Sequence, residues 1–410
     1  MTALLSDRGY HWPSDPSAPP TISYSFLTAD PDIYPEFRAF TEVERGAARQ
    51  ALEEWAKVAN IDFVEVATGG KLEFAAGDLG NAVGMTRWWS IPQGGQGTEI
   101  VSAQTWIDRA APLDFEAGGS GARVLLHELG HALGLRHPFE RNALSTDTER
   151  DTVMAYAGHP TMPGIHADSP MPDDIAAIQN LYGANPNTAT GDTVYRWDDN
   201  PTFIHTIYDA GGDDTIDLSN LSRAATVDLR PGAYSSVGSY GGGAATDNLA
   251  IAEGTVIENV VGTARADTLT GNDAANVLAG GGGGDLLRGG AGADLFVFTT
   301  PADGGDRIAD FAPGDRLAVG ADAFGLAAGP LADAAFAALG AAYHGNDGAG
   351  AAWAAGRPAF LYDATGALYY DANGAAPGQT LLASLPAGAA LDAGDITVID
   401  PATILADWMA

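Results

Sequence analysis

The chain has 410 residues, 46% of them hydrophobic, which is enough for two domains with sizeable cores. Twenty basic residues against 53 acidic ones give a net charge of −33, which repels nucleic acid and anionic membranes and leaves cations as natural partners. Cysteine is absent, so disulfides, thiolate chemistry and a thiol-based latency switch are excluded.

The opening residues Met1 to Arg8 lack a basic start followed by an apolar run, so neither a Sec-type signal nor a membrane span is expected. Residues 1–20, rich in Pro and Ser, read as an N-terminal extension. Thr21 to Phe26 alternates as a strand does. Glu42 to Val58 reads as a helix with Val43, Ala47, Leu52, Trp55 and Ala56 on its apolar side, opened by a capping box of Thr41 and Glu44. Strands are expected at 63–66, 71–74 and 99–107, and Met85 to Ser90 is a candidate sheet edge for an extended peptide substrate.

A helix over 122–133 follows the glycine-rich stretch Gly118 to Gly121, where Ala122 rules out a nucleophile elbow. The segment His127-Glu-Leu-Gly-His131-Ala-Leu-Gly134-Leu-Arg-His137 places two imidazoles a helical turn apart. Gly134 can adopt the left-handed conformation that ends a helix and returns His137 to the same point. Three neutral imidazoles around Zn²⁺ leave one coordination position open, the mark of a catalytic site. The spacing is that of the metzincin motif, expected by chance in on the order of one chain in 10⁵ of this composition. A plain amphipathic core helix has no reason to carry three histidines and Glu128 at ligand spacing. Downstream come the short segment Thr152 to Tyr156 and a helix from Pro172 to Tyr182, stopped by Gly183. The catalytic domain is therefore drawn at 21–185.

Past residue 185 the acids are Asp except for Glu253 and Glu258, and a nine-residue period appears. Units starting at Gly262, Gly271, Gly280 and Gly289 carry Asp267, Asn276, Asp285 and Asp294 at the sixth place and Leu269, Leu278, Leu287 and Phe296 at the eighth. This is the nonapeptide of parallel β-rolls, whose glycine turns present carbonyl and carboxylate oxygens to Ca²⁺. A flexible linker would not keep an apolar residue in phase through four units. Asp209 to Asp217 carries the same chemistry outside the strict repeat, and the register is expected to decay past Val297. The roll is drawn at 186–320 and a C-terminal β and secretion-signal region at 321–410, with Phe360 to Asp363 and Leu368 to Asp371 as paired strands.

In this order the motifs resemble those of the serralysins, bacterial secreted zinc metzincins with a C-terminal repeats-in-toxin calcium domain. The likeness runs from about Ile22 to Leu317 and includes Tyr24-Ser-Phe26, the histidine motif, Met154-Ala-Tyr156, Asp174 to Gln179 and Ile257-Glu258-Asn259. It implies an α+β metzincin catalytic domain followed by an all-β parallel roll. It also implies a zinc endopeptidase with His127, His131 and His137 as ligands, Met154 forming the turn beneath the metal, and Tyr156 as a further zinc ligand that swings aside to stabilise the oxyanion. Glu128 then takes the proton of the zinc-bound water and passes it to the leaving amine.

For calcium the resemblance implies Gly191, Thr193, Asp209, Gly211, Gly212, Asp214 and Glu258, with Ala189 where the family commonly has an arginine. Asp267 with Asp285 would share one ion, and Asn276 with Asp294 a second, weaker one. Protein substrates, a type I secretion apparatus reading a C-terminal signal such as Asp395 to Ile399, an extracellular location and a monomer are implied as well. Latency inside the cell is expected to rest on low calcium, with little contribution from residues 1–18. The competing reading is a catalytically silent, secreted, calcium-dependent adhesin or binding protein, against which the intact Glu128 argues.

Overall fold

A computed structural model of the chain describes residues 2–6, 9–13, 18–92, 97–141, 146–198, 202–343, 359–372 and 379–400. Its contacts divide the chain into two units, one of residues 1–188 with 202–210 and 246–255, the other of the remainder.

The first unit is built on a sheet of β1 (Tyr10–His11), β2 (Thr21–Phe26), β3 (Asp62–Glu65), β4 (Leu72–Gly77), β5 (Gly84–Pro92) and β6 (Thr98–Asp108). The order β1-β6-β4-β2-β3 is parallel throughout, while β5 runs antiparallel along β6. β5 thus stands where the sequence placed a substrate-pairing edge.

Helix α1 (Glu42–Val58) starts at the expected capping box, in which Glu44 also takes the Arg38 guanidinium at 2.8 and 2.7 Å. It buries Ala47, Leu52 and Trp55, but Val43 is 67% exposed. Val43 lies in the first turn, and the apolar stripe drawn from sequence extends one turn beyond the surface that α1 covers. Helix α2 (Ser120–Ala132) begins two residues earlier than expected and packs on α1, the Trp55 indole donating to the Leu126 carbonyl at 3.1 Å. A short α3 (Pro138–Arg141) and α4 (Pro172–Tyr182) complete the helices relevant to the site.

The N-terminal residues, read from sequence as an extension, are built into this unit. Tyr10 and His11 pair with Thr98 and Glu99. Trp12 is buried, its indole donates to the Ala132 carbonyl at 2.9 Å, and its backbone N–H meets the Tyr182 hydroxyl at 3.1 Å. Leu5 forms a bridge to Leu135.

In the second unit short strands build two largely parallel sheets, and through the nonapeptide repeats successive strands alternate between them. One sheet contains Val194–Arg196, Thr215–Asp217, Asn259–Val261, Val277–Ala279, Leu295–Phe298, Arg316–Gly320 and Ile396–Ile399. The other contains Thr226–Asp228, Thr268–Thr270, Leu286–Arg288, Asp306–Ile308 and Gln379–Ser384. Leu269 pairs with Leu287 and Leu278 with Phe296, two repeats apart, and all four are fully buried between the sheets. This is the expected α+β unit followed by a parallel roll.

The expected decay of register past Val297 does not stop the pairing. Leu317 lies opposite Phe296 and Ile396 opposite Leu317, and all three side chains stay buried. Ladder hydrogen bonds need backbone alone, so the sheets continue after the glycine turns of the motif have ended. The segment resembling a secretion signal is therefore largely this last strand, Ile396–Ile399, with Ile396 and Val398 buried. Ala359–Tyr362 and Ala367–Asp371 form the expected antiparallel pair.

Candidate active site

Helix α2 carries His127, Glu128 and His131 into the first unit and ends at Ala132, capped by Leu133. Gly134 then takes φ +105°, where an added Cβ would collide with the Tyr10 carbonyl, and the chain turns back to bring in His137. Gly130 is required for a different reason: a Cβ there would lie 2.5 Å from the Met154 sulfur, which packs beneath the helix.

The three histidines form the only metal-type cluster found among the described residues. His137 Nε2 lies 3.2 Å from His127 Nε2 and 3.1 Å from His131 Nε2. The opposite nitrogens face acceptors: His127 Nδ1 the Val153 carbonyl at 2.7 Å, His131 Nδ1 the Leu135 carbonyl at 2.9 Å, and His137 Nδ1 the Glu140 carboxylate at 2.6 Å. Carbonyls and carboxylates only accept, so each Nδ1 holds the proton and each Nε2 keeps its lone pair. Three lone pairs converging at this distance repel one another unless a cation lies between them, and the donor set fits zinc. Burial pulls His127 well below the ordinary imidazole value, His131 down to about 4, and His137 down as well. The ligands are therefore neutral at physiological pH.

Glu128 is 6% exposed, and its Oε2 has no hydrogen-bond partner. Burial pushes its carboxyl up to about 7, against the opposing effects of Thr86 and the Arg123 charge. A Cβ on Gly84 of β5 would lie 2.7 Å from Glu128 Oε1, so the strand passes directly over this carboxylate. Thr86 on the same strand donates to the Glu128 carbonyl at 2.8 Å. Tyr156 is 68% exposed, its ring 4.6 Å from that of His137 and 5.8 Å from that of His127. Burial of the phenol, then the negative Glu128 and Glu140, raise its pKa. These groups line a cleft of about 460 Å³ walled by Tyr10, Met85, Trp88 and Arg136.

Sequence reasoning missed the residues that brace this constellation. Asp174, fully buried on α4, accepts from the Thr152 hydroxyl at 2.5 Å and from the N–H groups of Val153 at 2.7 Å and Met171 at 2.9 Å. It thereby fixes the turn whose Val153 carbonyl orients His127. Glu140 stands three residues after His137, a spacing that could have signalled its role; Asp174 opens a stretch that carries the resemblance, which implies no role for it, and nothing local marks Gly84 or Thr86.

In the second unit, Thr193 N–H donates to Asp214 Oδ1 at 2.8 Å, the Thr193 hydroxyl to the Gly191 carbonyl at 2.9 Å, and Asp214 N–H to Glu258 Oε2 at 2.8 Å. Gly212 packs its backbone against the Gly191 carbonyl, and Gly211 has φ +141°. Asp209 is buried and belongs to the first unit, where its N–H meets Thr255 Oγ1 at 3.0 Å.

Along the repeats, Asp267 accepts from Thr263 and Ala225 N–H groups at 2.6 and 2.7 Å. Asp285 Oδ1 takes Asp267 N–H at 2.7 Å, and Asp294 Oδ1 takes Asn276 N–H at 2.9 Å. The other oxygens of Asp285 and Asp294 are buried without a hydrogen-bond partner, each against a glycine, Gly280 or Gly289, whose added Cβ would collide with it. Orphaned carboxylate oxygens in glycine cradles suit a hard cation. Asn276 spends its amide nitrogen on the Glu258 carbonyl at 2.9 Å and brings no charge.

Two family profiles match the chain: Matrixin, of peptidase family M10, over residues 14–183, and Peptidase M10 serralysin C terminal over residues 174–324. A serralysin of Photorhabdus laumondii is 34% identical over 305 residues, 65% of this chain and 62% of the relative. The metalloprotease AprA of Pseudomonas entomophila is 32% identical over 290 residues, 62% of this chain and 59% of the relative. Serralysin B of Dickeya chrysanthemi is 34% identical over 287 residues, 60% of this chain and 58% of the relative. The matched region thus spans somewhat less than two thirds of these relatives' own length. Among the described residues no helix is long and apolar enough to cross a membrane.

Proposed function

The chain belongs to the serralysin-type peptidases of family M10, and from that premise we propose that it is a secreted, calcium-stabilised zinc endopeptidase acting on protein substrates. The observation that carries this reading is the convergence of three Nε2 lone pairs, each fixed by an acceptor at the opposite nitrogen. When bound, zinc supplies the Lewis acidity that activates water and polarises the scissile carbonyl. His127, His131 and His137 hold it. Glu128, buried beside them with an uncommitted oxygen, takes the proton of the attacking water and delivers it to the leaving amine. Tyr156, kept protonated by its raised pKa, donates a hydrogen bond to the developing oxyanion. The edge of β5 pairs with the extended substrate, and the cleft wall next to it selects side chains.

The cradles of Asp285 and Asp294, whose orphaned oxygens suit a hard cation, would hold calcium, and the turn of Gly191, Thr193, Gly212, Asp214 and Glu258 would hold it by the family resemblance. Export through a type I apparatus, and latency until the roll meets external calcium, follow from the same family premise.

Glu128→Gln tests the peptidase reading. The amide keeps size and burial but accepts no proton, so the variant should bind one zinc, melt like the wild type and lose casein hydrolysis by about 10²-fold or more. Near wild-type turnover would remove Glu128 from its role. A wild-type protein that binds zinc and cleaves nothing would favour the adhesin alternative.

A further inference from the structure

Tyr156 is held through its backbone on both sides. The Ala155 carbonyl accepts from the Arg123 guanidinium, and the Ala157 carbonyl accepts from the Glu149 N–H at 2.9 Å. Arg123 and Glu149 are themselves paired at 2.6 Å with side chains only 13% and 3% exposed. Glu149 also takes His166 Nδ1 at 2.8 Å, and the His166 N–H meets the Gly118 carbonyl just before α2 at 3.2 Å. A chain of contacts therefore runs from Arg123, one helical turn before His127, to the residues flanking Tyr156.

A buried ion pair is not a stability device by default, because desolvating both charges can offset their attraction. This pair sits where packing alone would leave a functional side chain loose. The Tyr156 ring is largely exposed; it lies nearly parallel to His127 at 5.8 Å, meets His137 edge-on at 4.6 Å and is tilted against Phe139 at 5.1 Å. Its location is accordingly set by the main chain that Arg123 and Glu149 pin.

We propose that Arg123, backed by Glu149 and His166, is the positioning residue for Tyr156: by fixing the Ala155 carbonyl it sets where the phenol stands against the three histidines. The proposal rests on the peptidase reading above. It requires that Arg123 act through the tyrosine hydroxyl, so that its removal matters only while that hydroxyl is present.

The test compares zinc-replete wild type with Arg123→Met/Glu149→Gln, with Tyr156→Phe and with the combination of all three. Replacing both charges avoids stranding a lone buried ion. The charge-pair variant should lose about tenfold in kcat with KM within about twofold, less than the 10²–10³ for outright loss of an oxyanion donor. In the Tyr156→Phe background it should lose nothing more. Multiplicative losses, or a change confined to KM, would overturn the proposal. In the metal-free protein, amide exchange of the segment from Glu149 to Ala157 should quicken in the charge-pair variant, and unchanged exchange overturns the proposal whatever the activity. Should the wild type bind zinc yet cleave nothing, the peptidase reading fails by itself and the exchange result alone decides the positioning role.

Discussion

Glu128 reaches the histidines because the strand crossing it carries no side chain at that point. A Cβ at position 84 would lie 2.7 Å from Glu128 Oε1 and from Val124 Cγ1, closer than real contacts allow. Gly84→Ala should therefore displace the carboxylate while leaving the histidines untouched. We expect kcat to fall about 10²-fold, the usual penalty for misplacing a reacting group by an ångström, with one zinc retained by atomic absorption. Unaltered kcat would mean that Glu128 has room to act from elsewhere.

At the level of elements, the N-terminal segment is a supporting wall of the histidine loop. Trp12 reaches the Ala132 carbonyl and the Tyr182 hydroxyl, which in turn donates to the Leu133 carbonyl at 2.7 Å. Arg136 N–H bonds the Leu4 carbonyl at 3.0 Å. Trp12→Ala should cost about 3–5 kcal/mol of unfolding free energy and weaken zinc retention. Deleting residues 2–18 should likewise destabilise the first unit instead of unlocking it; a truncated protein that melts like the full chain would contradict this. In the roll, Leu278 is fully buried between sheets, and Leu278→Ala should cost about 2–5 kcal/mol, read from the calcium-loaded melt.

At the scale of the molecule, charge governs the conditions under which the second unit is stable. Beyond residue 185 there are 28 acidic against eight basic residues. Burial pushes Asp285 and Asp294 up to about 6 and Asp306 up to about 8. In the unfolded chain these carboxyls titrate near ~3.9. The calcium-free fold thus binds their protons more tightly than the unfolded state does. That contribution is fully present below about pH 3.9 and is lost as pH rises through 6 to 8. Without calcium the unit's melting temperature, followed by circular dichroism of the full chain, should fall from pH 5 to pH 8. Millimolar Ca²⁺ should restore it at pH 8, where the carboxylates are free to bind. Equal calcium-free stability at pH 5 and pH 8 would refute the linkage.

What the sequence by itself determined lies within short stretches of chain. His127, His131 and His137 were legible because helix periodicity and one glycine turn set their geometry over eleven residues. The same holds for the capping box at Thr41 and Glu44, and for Leu269, Leu278, Leu287 and Phe296, whose common phase marks the core buried between the two sheets. Tertiary structure alone decided which distant residues complete these local devices. Asp174 meets Thr152 across 22 residues, Arg123 meets Ala155 across 32, and Gly84 admits a carboxylate 44 positions later. The strand Ile396–Ile399 joins a sheet whose repeat had already faded. Val43 fits the apolar periodicity of α1 and is nonetheless exposed, since a stripe is buried only as far as another element covers it. Local spacing follows from bond geometry, whereas a long-range hydrogen bond or a shared core depends on how the whole chain closes, and no motif in this sequence records that.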